Sequence, residues 1–249
     1  MKKTIAGLVV WFVFAGVGFA AEKVIKIASV PWPPYYDQFM PGSGIGAEVI
    51  TAVFERVGYK AEFNFMAWNR ALKEVSRGKY DALANAYYTE DRAKTYLASE
   101  SYMDSSVMFF KRKESPIVWN NNLKKLMRYK IGIVKGYANS PEFDKANYLN
   151  KRVSRTEILN VKKLLLKQAD LIVMDLFVGH HINKDKLYGD EKDVIEPLYP
   201  PLMVNKLHLM VSKKVPNGPG KLKAFNTGLR QIKKDGTLKK ILAKYGVKK

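Results

Sequence analysis

Short apolar strands and amphipathic helices alternate from residue 24 to residue 86, and this order constrains the fold more than any other feature of the sequence. Strands are predicted at V-I-K-I-A-S, K-A-E-F-N-F and Y-D-A-L-A-N-A, which are short, apolar or alternating, and bounded by turn residues. The first helix places Val49, Val53 and Phe54 on one face, and the second begins at W-N-R-A-L with Asn69 as its cap. The order β-α-β-α-β predicts an α/β fold with parallel strands.

A second set of the same elements follows a long extended segment, S-V-M-F-F-K-R-K. It contains the strand K-I-G-I-V-K-G, a helix at N-S-P-E-F-D-K-A-N-Y-L, a helix capped by Thr156, and the strand A-D-L-I-V-M-D. Another extended segment, K-L-H-L-M-V-S-K-K, leads to two C-terminal helices, the last starting at Thr237. Two α/β units joined by two extended hinge segments predict two lobes with a ligand cleft between them. The predicted boundaries are 21–112 and 207–249 for lobe 1, and 113–206 for lobe 2.

The two units share a weak internal repeat. V-S-R-G-K-Y-D-A-L-A-N-A and L-L-L-K-Q-A-D-L-I-V-M-D share one plan of helix, tight turn, aspartate and buried strand. Asp81 and Asp170 hold the same place in each plan. Aspartate at such a turn commonly bonds backbone amides, so both residues are predicted to be structural.

The N-terminus has the pattern of a secretory signal peptide. Two lysines precede a short apolar run that ends in G-F-A, and cleavage is predicted after Ala20. The apolar run is shorter than the roughly 20 residues that a spanning helix needs, which argues against a membrane anchor. We therefore expect residues 1–20 to be removed and the mature protein to be periplasmic.

The charge and composition exclude some chemistry. The chain has no cysteine, which rules out disulfides and thiolate metal sites. The net charge is +20, or +18 once Lys2 and Lys3 are lost with the signal peptide. Such a charge favours anionic partners, but no nucleic-acid motif accompanies it, so a solvated basic surface is the simpler interpretation. His180 and His181 are adjacent and cannot share a helix face, so we predict neither a metal site nor a cofactor.

Several motifs occur in the order found in one family. P-P-Y follows the first strand, R-G-K-Y-D-A-L precedes the third, and Y-T-E-D-R-A-K-T-Y-L-A-S-E-S-Y follows it. K-I-G-I-V-K-G, K-Q-A-D-L-I-V-M-D and I-K-K-D-G-T-L-K-K-I-L-A-K-Y-G come later. The sequence resembles the family 3 bacterial solute-binding proteins, the periplasmic receptors for polar amino acids. Each motif alone is weak, whereas their joint order covers nearly the whole mature chain.

The resemblance implies a two-lobed periplasmic binding protein-like fold and a ligand site. In the family, the arginine after T-x-x binds the ligand's carboxylate, and here that residue is Arg92. Thr89 is predicted to cap the helix that contains Arg92, and a cation in the first turn of a helix is unfavourable unless an anion lies near it. A guanidinium can pair with a carboxylate through two charge-assisted hydrogen bonds. The aspartate that ends the second-lobe strand binds the ligand's ammonium group, and here that residue is Asp175, although it could serve only as a helix cap. Further ligand contacts are expected from Asn85, Tyr87, Thr89, Lys135, Tyr137, Trp32, Tyr35 and Arg70.

Arg70 and the tyrosines mark departures from the amino-acid receptors. A-W-N-R-A-L resembles a W-x-R-A-L pattern in a poorly characterised branch of the family, and a second arginine in the cleft would favour an acidic ligand. Glycine, serine or threonine often stands where Asn85, Tyr87 and Tyr88 stand here. Two bulky tyrosines would narrow the pocket or select a ring or a ligand other than an amino acid.

The function implied is capture of a small polar or charged solute, most simply an amino acid or a related carboxylate, for ABC-type uptake or sensing. The expected partners are that small molecule and the permease of an ABC transporter, with a monomeric protein and no nucleic acid. Two alternatives stay open. One is an enzyme of the same fold resembling cyclohexadienyl dehydratase, which needs an acid in the cleft, whereas D-L-F-V-G-H-H offers only histidines. The other is a basic protein that binds anionic polymer or lipid surfaces.

Overall fold

The computed structural model describes residues 23–186 and 193–245, so the predicted signal peptide lies outside the described residues. Within these ranges the chain forms strands and α-helices in alternation, as the sequence predicted. The strands are β1 (Lys23–Ser29), β2 (Tyr59–Phe65), β3 (Ala82–Tyr87), β4 (Tyr96–Ala98), β5 (Met103–Arg112), β6 (Lys130–Val134), β7 (Asn150–Ser154), β8 (Leu171–Asp175) and β9 (Ile195–Ser212).

The helices cover both halves of the sheet. Most are amphipathic, and their apolar faces pack against the strands. The α-helices are α1 (Ile45–Glu55), α2 (Trp68–Ser76), α3 (Glu90–Thr95), α4 (Pro141–Lys145), α5 (Glu157–Leu165), α6 (Leu176–His181), α7 (Gly218–Lys234) and α8 (Thr237–Lys244). Short 3-10 turns lie at Pro41–Ser43 and Leu123–Leu126, and a π turn lies at Ile182–Lys186.

The strand order β2-β1-β3-β9-β5-β8-β6-β7 divides the molecule into two lobes. Lobe 1 contains the parallel strands β1 to β3 with α1 to α3, α7 and α8. Lobe 2 contains the parallel strands β6 to β8 with α4 to α6. The long antiparallel pair β5 and β9 joins them, with β9 bonded to β3 and β5 bonded to β8. The predicted α/β fold with two extended hinge segments is confirmed.

The central strands consist almost entirely of apolar residues because both of their faces are buried. Residues 82–86 of β3 and all five residues of β8 are buried, as expected for parallel strands covered by helices on both faces. The predicted helix faces are also found, with Val49, Val53 and Phe54 of α1 fully buried against the core.

Three local predictions need correction. Asn69 does not cap α2, which starts at Trp68 after Ala67 and has no side-chain cap. The helix predicted across residues 139–149 is only the five residues of α4, with Ser140 as its cap. Strand β9 begins at Ile195 rather than after the proline-rich segment.

The prediction that Asp81 and Asp170 bond backbone amides is confirmed. The amides belong to Lys26 and Lys130 on neighbouring strands, each at 2.8 Å, rather than to the turns themselves.

Candidate functional site

A pocket lies between the lobes, where β3 and α3 of lobe 1 face the turn after β6 in lobe 2. It encloses about 330 Å³ of space not filled by protein atoms, part of which is open to solvent. Four of its eight lining residues are aromatic, three from lobe 1 and one from lobe 2, and Asn85 and Arg92 add an amide and a cation. The lining residues are Val30, Trp32, Trp68, Asn85, Tyr87, Arg92, Tyr137 and Ala138.

Arg92 is the cation of this pocket. Thr89 caps α3 by accepting the Arg92 amide at 3.1 Å, which confirms the predicted cap and fixes the arginine in the first helical turn. Its Nη1 donates to the Tyr87 carbonyl at 2.8 Å, and its guanidinium lies 5.2 Å from the Trp68 ring centroid. Burial lowers the pKa of Arg92, although the group stays charged at neutral pH. No carboxylate of residues 23–186 or 193–245 lies within ion-pair distance of it.

Asn85 places a second donor in the same pocket. Its backbone has φ of 60°, in the left-handed region that asparagine tolerates better than most residues, at an irregularity in the β3–β9 pairing. Its backbone N–H donates to the Tyr102 hydroxyl, and that hydroxyl donates to the side-chain oxygen Asn85 Oδ1, both at 3.4 Å. The side chain is 7% exposed, and Nδ2 has no hydrogen-bond partner. A buried donor without a partner is costly, so a ligand oxygen is the natural group to satisfy it.

Asp175 lies at the expected end of the second-lobe strand, and its hydrogen bonds match the helix-cap alternative. It is 3% exposed and ends β8, where Oδ1 accepts the Phe177 amide at 2.8 Å and the Val178 amide at 3.1 Å and so caps α6. Its Oδ2 accepts the Tyr35 hydroxyl at 3.1 Å and the Ser105 hydroxyl at 2.6 Å. Four donors occupy its acceptor positions. This geometry does not favour the predicted role in binding an ammonium group.

The burial of Asp175 also affects its charge. Removal from water raises the pKa of Asp175 to about 6, and the four donors oppose that rise without cancelling it. Desolvation and the neighbouring carboxylate likewise raise the pKa of Tyr35 well above its usual value. Asp175 therefore forms a buried polar junction between the lobes.

Three side-chain hydrogen bonds close the cleft across the lobes. Trp32 Nε1 donates to Glu157 Oε1 at 2.9 Å, Trp68 Nε1 donates to the Gly136 carbonyl at 3.3 Å, and Tyr35 donates to Asp175. The Trp68 and Tyr137 rings meet edge to face with centroids 6.2 Å apart. The two tryptophans therefore belong both to the wall of the pocket and to the contact that holds the lobes together.

Glu157 is the site residue that sequence reasoning missed. It follows the cap Thr156 directly and looked like an ordinary acidic residue in the first turn of a helix. In the fold it lines a second pocket of the same cleft, which shares Val30, Trp32, Trp68 and Tyr137 with the first. Burial raises the pKa of Glu157, although hydrogen bonds from a backbone N–H, Tyr137 and Trp32 oppose the rise. No local signal identifies it, because its partners are distant in sequence.

Some of the other predicted site residues line the pocket, and the rest lie outside it. Tyr87 and Tyr137 line the pocket, and the Tyr87 hydroxyl shares a 2.6 Å hydrogen bond with Ser105. Thr89 acts as the helix cap and borders an adjoining groove. Arg70 and Lys135 are exposed and lie outside the lining of the cleft pockets, and Tyr35 is buried beneath it against Asp175.

In the described residues, no group of three or more histidine, cysteine, aspartate or glutamate side chains is arranged to hold a metal ion. None of the helices in 23–186 and 193–245 has the length and hydropathy that crossing a bilayer requires.

A two-lobed α/β protein with a polar and aromatic pocket between its lobes has the architecture of a solute-binding protein. The profile of the bacterial extracellular solute-binding proteins, family 3, matches residues 25–248, and the chain belongs to this family. The family is extracellular or periplasmic.

Named relatives are similar over most of their length. The chain is 22% identical to a probable histidine-binding protein of Neisseria gonorrhoeae, over 91% of this chain and 84% of the relative. It is 23% identical to an arginine-binding periplasmic protein of Mannheimia haemolytica, over 98% of both. Among solved structures, an ancestral amino acid-binding protein described as a precursor of cyclohexadienyl dehydratase aligns with a TM-score of 0.72 and 20% identity, covering 89% of this chain and 94% of that one. The last likeness concerns the fold alone.

Proposed function

We propose that this protein captures a small amino-acid-type solute in its interlobe cleft, outside the cytoplasmic membrane, and presents it for ABC-type uptake or sensing. Membership of the family supports the binding role, and the names of the relatives support an amino acid as the ligand class. We further propose that the protein acts as a monomer and that a transporter permease is its partner.

The observation that carries the proposal is the pairing of Arg92 with Asn85 in one pocket. A half-buried guanidinium without a carboxylate partner and a buried amide nitrogen without an acceptor both point to an anionic group supplied by the ligand. Charge-assisted hydrogen bonds to such a group are each worth about 1.5 to 3 kcal/mol. The ligand's carboxylate is the group that fits these donors.

The test is calorimetric titration of the purified protein with a panel of L-amino acids and dicarboxylates. We expect at least one amino acid to bind, and we expect Arg92→Gln to weaken that binding by about 10- to 100-fold, as the loss of one charged hydrogen-bonding group predicts. Lys94→Gln is the matched control. It removes a cation from the same helix, but Lys94 is exposed and bonded to Asp91 at 2.7 Å, outside the pocket.

The result can contradict the proposal in two ways. Absence of binding to every member of the panel would remove the amino-acid assignment. Equal affinity in wild type, Arg92→Gln and Lys94→Gln would place the ligand elsewhere on the molecule.

Catalysis is the second candidate, because the cleft does contain an acid that the sequence did not reveal. Glu157 is half-buried beside the pocket with a raised pKa, which is the property expected of a general acid. We propose binding without turnover, in line with the family. Incubation with prephenate tests this directly, since conversion to phenylpyruvate that disappears in Glu157→Gln would establish the enzyme instead.

A further inference from the structure

Glu157 adds an acidic residue to the cleft that contains Arg92. Arg92 lines the first pocket and Glu157 the second, and the rings of Trp32, Trp68 and Tyr137 are common to both. The two residues therefore border adjoining pockets that share an aromatic wall. A ligand that spans both pockets would meet a cation at one end, an anion at the other and aromatic faces between them.

The carboxylate of Glu157 has an acceptor position available, whereas that of Asp175 has none. Glu157 accepts Trp32 Nε1 at 2.9 Å, the Tyr137 hydroxyl and a backbone N–H, which occupy three of the four acceptor positions of a carboxylate. Asp175 accepts four protein donors and does not line either pocket. Of these two acids, only Glu157 can accept a hydrogen bond from a ligand without displacing a protein donor.

Glu157 also lacks a cationic partner in the protein. No lysine or arginine from the part of the chain that the structure describes lies within ion-pair distance of it. Arg155 borders the same pocket but is exposed, where solvent screens its charge. A half-buried carboxylate without a cationic partner and with an acceptor position free favours a ligand that carries a positive charge to it.

The aromatic rings around the cleft also favour a positively charged group on the ligand. A cation beside the faces of tryptophan and tyrosine is attracted by their ring electrons, and the stacking of Arg92 on Trp68 shows one such contact in this cleft.

We infer that Glu157 is a specificity-determining residue that binds a cationic group several bonds away from the ligand's carboxylate, so that the preferred ligand class is the basic amino acids. This inference rests on the proposed function, because it takes Arg92 as the site of the carboxylate. It assigns to Glu157 the selection of the ligand, and to Asp175 a structural role in holding the lobes.

The test compares two ligands of nearly the same shape, L-arginine and L-citrulline, in which a neutral urea replaces the guanidinium. We expect wild type to bind arginine at least 10-fold more tightly than citrulline by calorimetry. In Glu157→Gln, which keeps an acceptor for Trp32, the ratio of the two affinities should fall to about one. Glu142→Gln removes an exposed acid from the first turn of α4 and should leave the wild-type ratio unchanged.

The outcomes separate the inference from the function on which it rests. If wild type binds neutral or acidic amino acids but neither arginine nor lysine, the inference fails and the proposed function stands. An arginine preference that is unchanged in Glu157→Gln also overturns the inference. Binding of no amino acid at all removes both. If Glu157→Gln melts well below wild type without ligand, Glu157→Asp replaces it, and a shortened carboxylate should lower the ratio without abolishing it.

Discussion

The turn after β3 in lobe 1 and the turn after β8 in lobe 2 are built on the same plan but place their charged residues differently. Each buried strand leads into a six-residue helix with a side-chain cap at its start. In lobe 1 the cap is the neutral hydroxyl of Thr89, and the charged residue, Arg92, remains at the pocket wall. In lobe 2 the cap is the charged residue itself, Asp175, which is buried and fully hydrogen-bonded.

The comparison teaches that an equivalent place in a repeated unit does not imply an equivalent role. A helix of either lobe needs a cap because its first amides have no partner within the helix. When threonine supplies that cap, a nearby charge stays available to a ligand. When aspartate supplies it and also receives two hydroxyls, the same charge becomes part of the protein's own hydrogen bonding. The predictions below test whether the charge in lobe 1 is available to a ligand while the charge in lobe 2 is not, from the largest expected effect to the smallest.

Asp175→Ala should destabilise the protein by about 4 kcal/mol. The substitution removes a helix cap and leaves the hydroxyls of Tyr35 and Ser105 buried without their acceptor, and each of these losses costs roughly 1 to 3 kcal/mol. Denaturant unfolding at pH 5, where Asp175 is largely protonated, measures the effect without the cost of burying its charge. Adding Tyr35→Phe should recover part of the loss, since one orphaned hydroxyl is then absent. A loss below about 1 kcal/mol would contradict the structural role.

Asp175→Asn should change how stability depends on pH. Burial raises the pKa of Asp175 from 3.8 to about 6, so between these values the folded state binds more protons than the unfolded state. Stability must then fall as the pH rises through this window, by roughly 3 kcal/mol at 1.36 kcal/mol for each pKa unit. The neutral amide cannot ionise, so the unfolding free energy of the variant should decline less than that of wild type from pH 4 to pH 7.

The control for the pH experiment is Asp104→Asn, which changes an exposed aspartate on β5. Its stability curve should run parallel to that of wild type. If the stability curve of Asp175→Asn is also parallel to that of wild type, the Asp175 carboxyl is not held in the low-polarity environment described above.

Sequence patterns could predict the features that depend on neighbours in the chain. The caps Thr89 and Thr156 were found where predicted, because a cap is set by residues two or three positions away. The buried strands followed from short apolar runs between turns. Arg92 could be placed in the pocket because a cation in the first turn of a helix is unfavourable unless an anion is near it.

The features that depend on distant parts of the chain could not be predicted in this way. Asp175 is bonded to Tyr35, 140 residues away, and Glu157 to Trp32, 125 residues away. Before the fold is known, neither pair differs from two unrelated surface residues. The expectation that Asp175 binds an ammonium group came from family resemblance and stays a prediction, since a resemblance gives the position of a residue but not its hydrogen-bond partners.

Arg92→Lys tests whether lobe 1 uses only a charge or also the shape of the guanidinium. Lysine keeps the charge but presents a single nitrogen, so it cannot bond the Tyr87 carbonyl and a carboxylate with the same planar geometry or stack equally on Trp68. We expect the affinity for the ligand to fall about 10-fold, less than in Arg92→Gln, which corresponds to about 1.4 kcal/mol. Calorimetry measures the change, and affinity equal to wild type would show that charge alone suffices.

Thr89→Ala is expected to have the smallest effect and completes the comparison of the two caps. Loss of a threonine cap costs about 1 kcal/mol, because one amide of α3 loses its acceptor. No other donor depends on the Thr89 hydroxyl in the described residues, so the loss should be well below that of Asp175→Ala. Thr89→Ser keeps the hydroxyl and should retain most of the stability. If Thr89→Ala lowers the free energy of unfolding as much as Asp175→Ala does, the two caps contribute equally to stability. The proposed difference between the two turns, with Arg92 available to a ligand and Asp175 bonded within the protein, would then be wrong.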